Sequence, residues 1–131
     1  MPDKIVLQLP FPPTVNHVWK HACRNGRLRN YMTDKGKAYR NEAILCITRQ
    51  QAKNKQLTDR LDVTIELHAP DNKRRDIDNH AKSVLDALTI AGTWQDDEQV
   101  DKLTLVRMPP TTRDKACAIV VIKTIPEITD D

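Results

Sequence analysis

Carboxylate side chains cluster in the second half of the chain, directly after a run of basic residues. Asp76 and Asp78 are separated by one residue, and Asp96 and Asp97 follow further along. Carboxylate oxygens are the preferred ligands of hard divalent cations such as Mg²⁺. The basic run, residues 73–75, carries charge of the kind that holds phosphate groups. Together these residue types predict metal-dependent cleavage of a nucleic acid.

Lys82 adds a positive charge to this acidic cluster. It lies one helical turn after Asp78, so the two side chains share one face of the helix predicted for this segment. A lysine in that position would neutralise charge on a pentavalent phosphorus or assist the leaving oxygen. Lys73, Arg74 and Arg75 precede the site and are predicted to hold flanking phosphates, which fixes register without reading base sequence.

Each feature also has a purely structural explanation. An Asp-x-Asp pair at a helix start commonly serves as a cap, and Asp78 with Lys82 would form an ordinary exposed ion pair worth about a few tenths of a kcal/mol. Asp96 and Asp97 would then belong to an acidic turn, and residues 73–75 to a solvated loop. For each feature taken singly, the structural explanation is sufficient. Because all of them occur around one helix, however, the catalytic hypothesis and the structural explanation are about equally supported.

The length of the predicted helix separates the two acidic pairs. From Asp78 to Ala91 the helix would span roughly 20 Å, at about 1.5 Å per residue. Asp97 therefore cannot meet Asp78 if the chain continues straight outward from the helix. Either the chain doubles back, or a second subunit supplies the partner.

The elements that must position these residues follow from hydrophobic periodicity. Four segments have the apolar or alternating pattern of strands, and two have apolar residues at helical spacing. The order is β-α-β-α-β-β, which predicts a single α+β domain over residues 1–131, with a mixed sheet of about four strands and two packed helices. The predicted strands are 4–9, 62–68, 100–108 and 116–124, and the predicted helices are 34 to about 53 and about 76–78 to 91.

Local signals mark the ends of the helices and the residues of the core. Thr33 or Asp34 is suited to cap the first helix, and Gly92 to end the second in a left-handed conformation. Ile77 is expected to point inward and anchor the turn between the two acids. The apolar run 118–122 suggests a strand that is buried on both faces. The expected inward positions of the second and third strands are Val63, Ile65, Leu67, Leu103 and Leu105.

The segment 14–34 has mixed polarity and no clear period, so it is predicted to be a surface loop or an irregular hairpin. Its basic residues are further candidates for DNA contact, although less specific ones than the run 73–75. They are Lys20, Arg24, Arg27 and Arg29. At the other end of the chain, residues from about 126 to 131 are expected to form a frayed acidic tail.

Composition excludes several other classes of protein. The net charge of +3 is only mildly basic, and no apolar run approaches the roughly 20 residues of a membrane helix. No secretory signal is apparent at the start, which makes the cytoplasm the expected compartment. Cys23, Cys46 and Cys117 lack the spacing of a zinc or redox motif and are expected to be reduced thiols.

Two groups of residues together resemble a known family, the RusA Holliday-junction resolvases. The N-terminal group is the opening motif with Leu9, Pro10, Pro12, Pro13 and Asn16. The second and more specific group comprises Pro70, Asp71, Arg75, Asp76, Ile77, Asp78, Asn79, Lys82, Asp86, Ala91, Gly92, Trp94, Asp96, Asp97, Gln99 and Val100. Tyr39-Arg40 and Met108-Pro109 also match, so the resemblance covers nearly the whole chain.

This resemblance implies a small homodimeric endonuclease of bacterial, phage or prophage origin. Such enzymes need Mg²⁺, with Mn²⁺ able to substitute, and they cut four-way DNA junctions by paired nicks. Carried over by position, Asp76, Asp78 and Asp97 are implied to be the metal-binding catalytic acids, and Lys82 the catalytic lysine. His80 stands where an apolar residue is common in the family.

A homodimer also has a rationale in the symmetry of the substrate. Two symmetric nicks in a two-fold junction are served by two identical sites related by a two-fold axis. Two other functions stay open. One is a non-catalytic protein that binds DNA structure, in which the acids only cap helices and repel wrong partners. The other is a metal nuclease for another branched DNA.

Overall fold

A computed structural model describes residues 4–24 and 26–126, apart from the side chains of residues 16, 21–24 and 28–30. The predicted acidic tail beyond residue 126 and the side chains of Cys23, Arg24 and Arg29 therefore lie outside the described part. Among the helices described, none is long and apolar enough to span a bilayer.

The centre of the molecule is a four-stranded mixed sheet with the order β1-β6-β4-β5. These strands are β1 (Lys4–Pro10), β4 (Arg60–His68), β5 (Val100–Arg107) and β6 (Cys117–Ile125). Strand β6 is antiparallel to both β1 and β4, whereas β4 and β5 are parallel. The predicted α+β domain with a mixed sheet of about four strands is confirmed.

The segment 14–34, which was expected to be a loop or an irregular hairpin, contains a short helix and a regular hairpin. Helix α1 is Val15–Val18, and the hairpin joins β2 (Trp19–Arg24) to β3 (Arg27–Met32) as a separate two-stranded sheet. The predicted order of elements lacked all three. Their polar, irregular sequence gives no alternation, because a two-stranded ribbon outside the main sheet has no buried face of its own to require one.

Helix α2 spans Asp34–Arg49, and Thr33 caps it by accepting a hydrogen bond from the backbone N–H of Gly36 at 3.1 Å. The predicted end near residue 53 was wrong. Gln50 takes the C-cap position, and Gln51 has a φ of 67°, a left-handed conformation that cannot continue a right-handed helix.

The second predicted helix begins later than expected. A 3₁₀ turn, Ile77–His80, precedes helix α3, which spans Ala81–Ile90. Asp76 stands before the turn with extended backbone angles, so both acids of the Asp-x-Asp pair lie outside the α-helix. Helix α3 is part of the crossover that the parallel pair β4–β5 requires.

One hydrophobic core lies against the sheet between the strands and both long helices. Val63, Ile65 and Leu67 are buried as predicted, and Ile77 packs against this core. Cys46 also packs against it, while Cys117 is buried; both are free thiols. In the run 118–122 the fully buried residues alternate with half-buried ones, so the expected burial on both faces was wrong.

Leu103 is another departure from the predicted core. It pairs with Val63 on the core face, but its side chain is 42% exposed. The reason is that β5 is an edge strand and its side chains have a neighbouring strand on one side only. Leu105, also predicted to point inward, does pack against the core.

Gly92 ends α3 with a φ of +75°, the left-handed conformation predicted from the sequence. A Cβ at this position would lie 2.8 Å from Gln56 Nε2 and 2.9 Å from Asn54 Oδ1. We expect Gly92→Ala to lower the free energy of unfolding by about 2 kcal/mol, since it adds a steric conflict to backbone strain. Urea denaturation measures this loss.

Gly26 provides the matched control for this substitution. Its φ is +73°, but a Cβ added there would meet no atom of the described residues within 4 Å. Gly26→Ala should therefore cost only the strain, about 1 kcal/mol. Equal losses at the two glycines would show that the contacts of Gly92 with the loop beside it are unimportant.

Candidate active site

The 3₁₀ turn Ile77–His80 presents two carboxylates to solvent. Ile77 points toward the core and fixes the turn, while Asp76 and Asp78 on either side of it are exposed. Asp76 occupies the N-cap position of the turn, yet its side chain makes no capping hydrogen bond. The capping explanation considered from the sequence is therefore not what this carboxylate does.

The exposed ion pair that the sequence suggested between Asp78 and Lys82 is also absent from the described structure. The Nζ atom of Lys82 instead donates to Asp86 Oδ1 at 3.1 Å, one helical turn further on. Among the described residues, neither Asp76 nor Asp78 has a side-chain hydrogen bond or an ion pair. No described side chain therefore competes with a cation for either carboxylate.

Asp96, by contrast, has the structural role that the sequence left open. Its carboxylate accepts a hydrogen bond from the backbone N–H of Glu98 at 3.0 Å and caps the 3₁₀ turn Asp97–Gln99. The side chain of Gln99 completes a capping box by accepting from the backbone N–H of Asp96 at 2.9 Å. Asp96 is therefore committed to holding the turn in which Asp97 lies.

Gln99 connects this turn to a distant part of the chain. Its side chain is buried, and its Nε2 donates to the backbone carbonyls of Leu57 and Asp59, each at 2.9 Å. Its Oε1 accepts from the backbone N–H groups of Gln95 and Asp96. All the polar atoms of this side chain are used, so the position of the turn depends on it.

We expect Gln99→Ala to destabilise the protein by about 1–3 kcal/mol, because it leaves part-buried backbone groups without these partners. Cleavage by the folded fraction should also slow, because Asp97 loses its fixed position. Thermal unfolding and a nuclease assay below the transition measure the two effects. Gln95→Ala, an exposed glutamine on the same segment, should change neither; equal effects at both positions would contradict this role.

Asp97 lines a cavity of about 410 Å³ together with Lys82 and Asp86. Burial is the main cause that raises the pKa of Asp97, and a hydrogen bond with Asp96 adds to it, while the charge of Lys82 acts in the opposite direction. Asp97 and Lys82 therefore belong to one site within a single chain. The other residues of this cavity are Trp19, Met32, Arg40, Thr89 and Ile90.

The chain doubles back after α3 because its backbone is tied to the loop that follows α2. The N–H groups of Asn54, Gln56 and Leu57 donate to carbonyls of the segment 91–93 at 2.8–3.0 Å. Trp94 is fully buried, and its indole N–H donates to Thr89 Oγ1 at 2.7 Å. These contacts return Asp97 alongside α3, which answers part of the distance problem posed by the sequence.

Asp76 and Asp78 do not line the cavity that holds Asp97. Within the described ranges, no three acidic, histidine or cysteine side chains are grouped as a metal-binding set. The single chain thus brings Asp97 and Lys82 into one cavity, whereas Asp76 and Asp78, which directly precede α3, do not line it. The type of these three side chains matches a hard cation, which takes carboxylate oxygens.

The basic residues before the site differ in the exposure of their side chains and in whether those side chains have partners. Arg75 is only 18% exposed; it donates to Asp71 Oδ1 at 2.7 Å, and its guanidinium lies 5.5 Å from the centre of the Phe11 ring. The hydrogen bond from Arg75 is the main cause that lowers the pKa of Asp71. Lys73 and Arg74 are exposed, and so are the side chains of Lys20 and Arg27 in the hairpin.

His80 links the site to the proline-rich opening motif, a role that the sequence did not suggest. Its ring is buried, and Nδ1 donates to the carbonyl of Pro12 at 2.8 Å. Burial is the main cause that lowers the pKa of His80. The ring also lies 5.1 Å from that of Phe11, between centroids, so the 3₁₀ turn is anchored to the segment after β1.

Comparison with known proteins supports the resemblance seen in the sequence. A family model described as endodeoxyribonuclease RusA matches residues 10–123. A crossover junction endodeoxyribonuclease RusA of Escherichia coli (strain K12) is 38% identical over 105 residues, which cover 80% of this chain and 83% of the relative. The chain belongs to the RusA family. RusA proteins of Shigella sonnei (strain Ss046) and Enterobacteria phage 82 show the same identity and coverage.

The RusA match contains the residues that the geometry singles out. Asp76, Asp78, Lys82 and Asp97 all lie within the matched range. Arg40, which lines the cavity of Asp97, lies within it as well. Arg40 and Trp19 were not predicted as site residues, because only the packing of α2 and the hairpin against α3 brings them there. The one signal in the sequence was that Tyr39-Arg40 resembles the family.

Proposed function

We propose that this chain is a metal-dependent endonuclease that resolves four-way (Holliday) DNA junctions by paired symmetric nicks. Its role would be in DNA recombination and repair, in the cytoplasm of a bacterium where the DNA lies. The observation that carries the proposal is the pair of exposed carboxylates, Asp76 and Asp78, which form neither a cap nor an ion pair with any described residue. The related RusA proteins named above are crossover junction endodeoxyribonucleases.

Asp76, Asp78 and Asp97 are proposed to hold Mg²⁺, with Mn²⁺ able to substitute. When bound, the ion supplies charge at the scissile phosphate and lowers the pKa of a water ligand. The exposure of Asp76 and Asp78 leaves room for waters and phosphate oxygens, which Mg²⁺ keeps among its ligands. Asp96 is left out of the proposed set because one of its carboxylate oxygens accepts the N–H of Glu98 that caps the turn.

Lys82 is proposed to place its ammonium near the scissile phosphate. Its ion pair with Asp86 directs the flexible side chain along α3, toward the cavity that Asp97 lines. The side chain is 54% exposed, so the ammonium is accessible to a phosphate group. Charge on the phosphorus and on the leaving oxygen increases during cleavage, and a nearby ammonium stabilises it.

The active form is proposed to be a homodimer, because a four-way junction has two-fold symmetry and needs two opposed nicks. Two identical sites related by a two-fold axis match that substrate. A second copy would also provide a second set of acids, and within the described residues of one chain Asp76, Asp78 and Asp97 form no metal-binding group. Light scattering of the protein alone and bound to a junction measures the stoichiometry.

The test of function compares a four-way junction, a flap and a linear duplex, each with Mg²⁺ and with EDTA. We expect metal-dependent nicks in opposed strands of the junction, with products that DNA ligase reseals. Preferred cleavage of the flap would favour a nuclease for another branched DNA. Junction binding without nicking in Mg²⁺ or Mn²⁺ would favour a protein that only binds DNA structure.

Lys73 and Arg74 are proposed to contact flanking phosphates, since both side chains are exposed beside the 3₁₀ turn. Replacing both by Gln should weaken junction binding and lower the slope of log K against log salt by about 1 per residue. Fluorescence anisotropy over a range of salt concentrations measures the slope.

Lys123→Gln provides the control for this salt dependence. Lys123 is exposed on β6 and pairs with Asp62, at the end of β4 that is opposite to the loop carrying Lys73. Its replacement removes a positive charge far from the proposed contacts and should leave the slope unchanged. If Lys123→Gln lowers the slope as much as the other changes do, general charge rather than this loop governs binding.

A further inference from the structure

We propose that Arg40 binds a backbone phosphate of the DNA next to the scissile one, within the cavity that Asp97 and Lys82 line. This inference rests on the proposed nuclease function and adds a phosphate-binding residue to it. Arg40 lies on α2 and lines this cavity together with residues of α3. Its contribution would be to position the DNA strand.

The position of Arg40 places it deep beside the site. The preceding residue, Tyr39, is buried, and its hydroxyl donates to the carbonyl of Pro10 at 2.8 Å, which holds this turn of α2 against the sheet. Arg40 is half-buried and lines both the cavity of Asp97 and a small adjoining one that Ser83 and Asp86 share. It therefore faces α3 at the level of the Lys82–Asp86 pair.

Hydrogen-bond donors around these two cavities lack acceptors. In the part of the chain that the structure describes, the guanidinium of Arg40 has no ion pair or hydrogen bond, and the buried indole N–H of Trp19 has no acceptor. The hydroxyl of Ser83, a residue that is 8% exposed, is also without a partner. Buried donors left unpaired are costly, so the two of Trp19 and Ser83, near an Arg40 guanidinium that has no partner among the described residues, indicate a ligand rich in acceptors.

The charges around the cavity favour an anion as that ligand. Asp86 is already paired with Lys82, and Asp97 would be engaged by the metal ion. Of the described residues that line the cavity, Arg40 is then the remaining cation, and a guanidinium presents its N–H groups in a fork that matches two phosphate oxygens. Because Asp97 and Lys82 line the same cavity, the phosphate bound there would be adjacent to the one that is cleaved.

The test combines Arg40→Gln with junctions that carry one neutral methylphosphonate at a defined position near the cut. For the wild type, we expect a single position next to the scissile phosphate at which neutralisation lowers the single-turnover cleavage rate by about 10–100-fold, the value of a charged hydrogen bond. Arg40→Gln should cleave the unmodified junction more slowly by a similar factor. At that same position it should show no further loss.

Arg49→Gln is the matched control, since Arg49 is an exposed arginine on the same helix, outside both cavities. It should cleave like the wild type and retain the sensitivity to the methylphosphonate. Arg40→Lys keeps the charge but not the fork, and should fall between wild type and Arg40→Gln. Melting temperatures show whether Arg40→Gln folds. If it does not, Arg40→Lys still tests the role of Arg40.

Several results would overturn the inference. One is cleavage by Arg40→Gln at the wild-type rate. Another is that Arg40→Gln and the methylphosphonate lower the cleavage rate independently, so that their two factors multiply at every position. That result would mean that Arg40 only supports the position of Asp86. If the wild type cleaves no junction, the proposed function fails, and junction affinity in EDTA then gives the same comparison for Arg40. Wild-type cleavage that is lost in Asp78→Asn but not in Arg40→Gln would reject the role of Arg40 alone.

Discussion

Asp78→Asn is expected to abolish cleavage of a four-way junction while leaving its binding intact. The substitution removes one negative charge and one oxygen of the proposed metal-binding carboxylate but keeps the size of the side chain. Changes to residues that merely support a metal ligand cost about 10–100-fold, so loss of a direct ligand should lower the cleavage rate by at least about 100-fold. Folding should be unaffected, because Asp78 is exposed and has no partner in the described structure.

A single-turnover assay with excess protein separates this effect from binding, which a gel shift in Ca²⁺ measures on the same junction. Asp114→Asn is the control: it removes one exposed carboxylate from a different loop, and it should cleave like the wild type. Loss of cleavage in both variants would point to a general effect of charge. Cleavage by Asp78→Asn at the wild-type rate would remove Asp78 from the mechanism.

Trp94→Ala is expected to cause the largest loss of stability in the chain, about 3–5 kcal/mol, as for other buried aromatic residues replaced by alanine. The indole is fully buried and its N–H donates to Thr89 Oγ1, so the substitution leaves a cavity and removes this hydrogen bond, while the Thr89 hydroxyl still donates to the Leu85 carbonyl. Because Trp94 lies in the segment that returns Asp97 alongside α3, the folded fraction should also cleave more slowly. Chemical denaturation and a cleavage assay at low temperature measure the two effects.

Ile90→Ala is the control for Trp94→Ala. It shows whether the loss of stability comes from buried packing or from the removal of any apolar side chain beside the cavity. Ile90 is the last residue of α3 and is 55% exposed, so its truncation should change the free energy of unfolding by no more than about 0.5 kcal/mol. Similar losses from Trp94→Ala and Ile90→Ala would contradict the anchoring role assigned to Trp94.

The sequence predicts those parts of the fold in which a regular pattern of residue types follows from one local cause, such as one buried face or one required backbone conformation. The alternation around Val63 and Ile65 marks a strand with one buried face, and Gly92 marks the end of α3 because few other residues adopt its backbone conformation. The 3₁₀ turn was not predicted, since apolar spacing continues smoothly from Ile77 into the helix. The hairpin after α1 was only one of two alternatives, because its strands have no buried face to produce alternation.

The candidate site was predicted as a set of residues rather than as an arrangement. Carboxylates and a lysine are recognisable by type, but the route of Asp97 depends on hydrogen bonds between Gln99 and backbone carbonyls of residues 57 and 59, which follow no sequence period. Arg40 reaches the cavity only through the packing of α2 against α3. Long-range contacts of this kind are set by the tertiary structure and leave no local signal.

A direct test of the metal site is anomalous diffraction from crystals of the protein bound to a four-way junction and Mn²⁺. The metal-binding role proposed for Asp76, Asp78 and Asp97 predicts a Mn²⁺ peak at about 2.1 Å from carboxylate oxygens of all three, drawn from one protomer or from two. A Mn²⁺ peak bound by Asp86 and Asp97 without Asp76 and Asp78, or no peak at either acidic group, would contradict it.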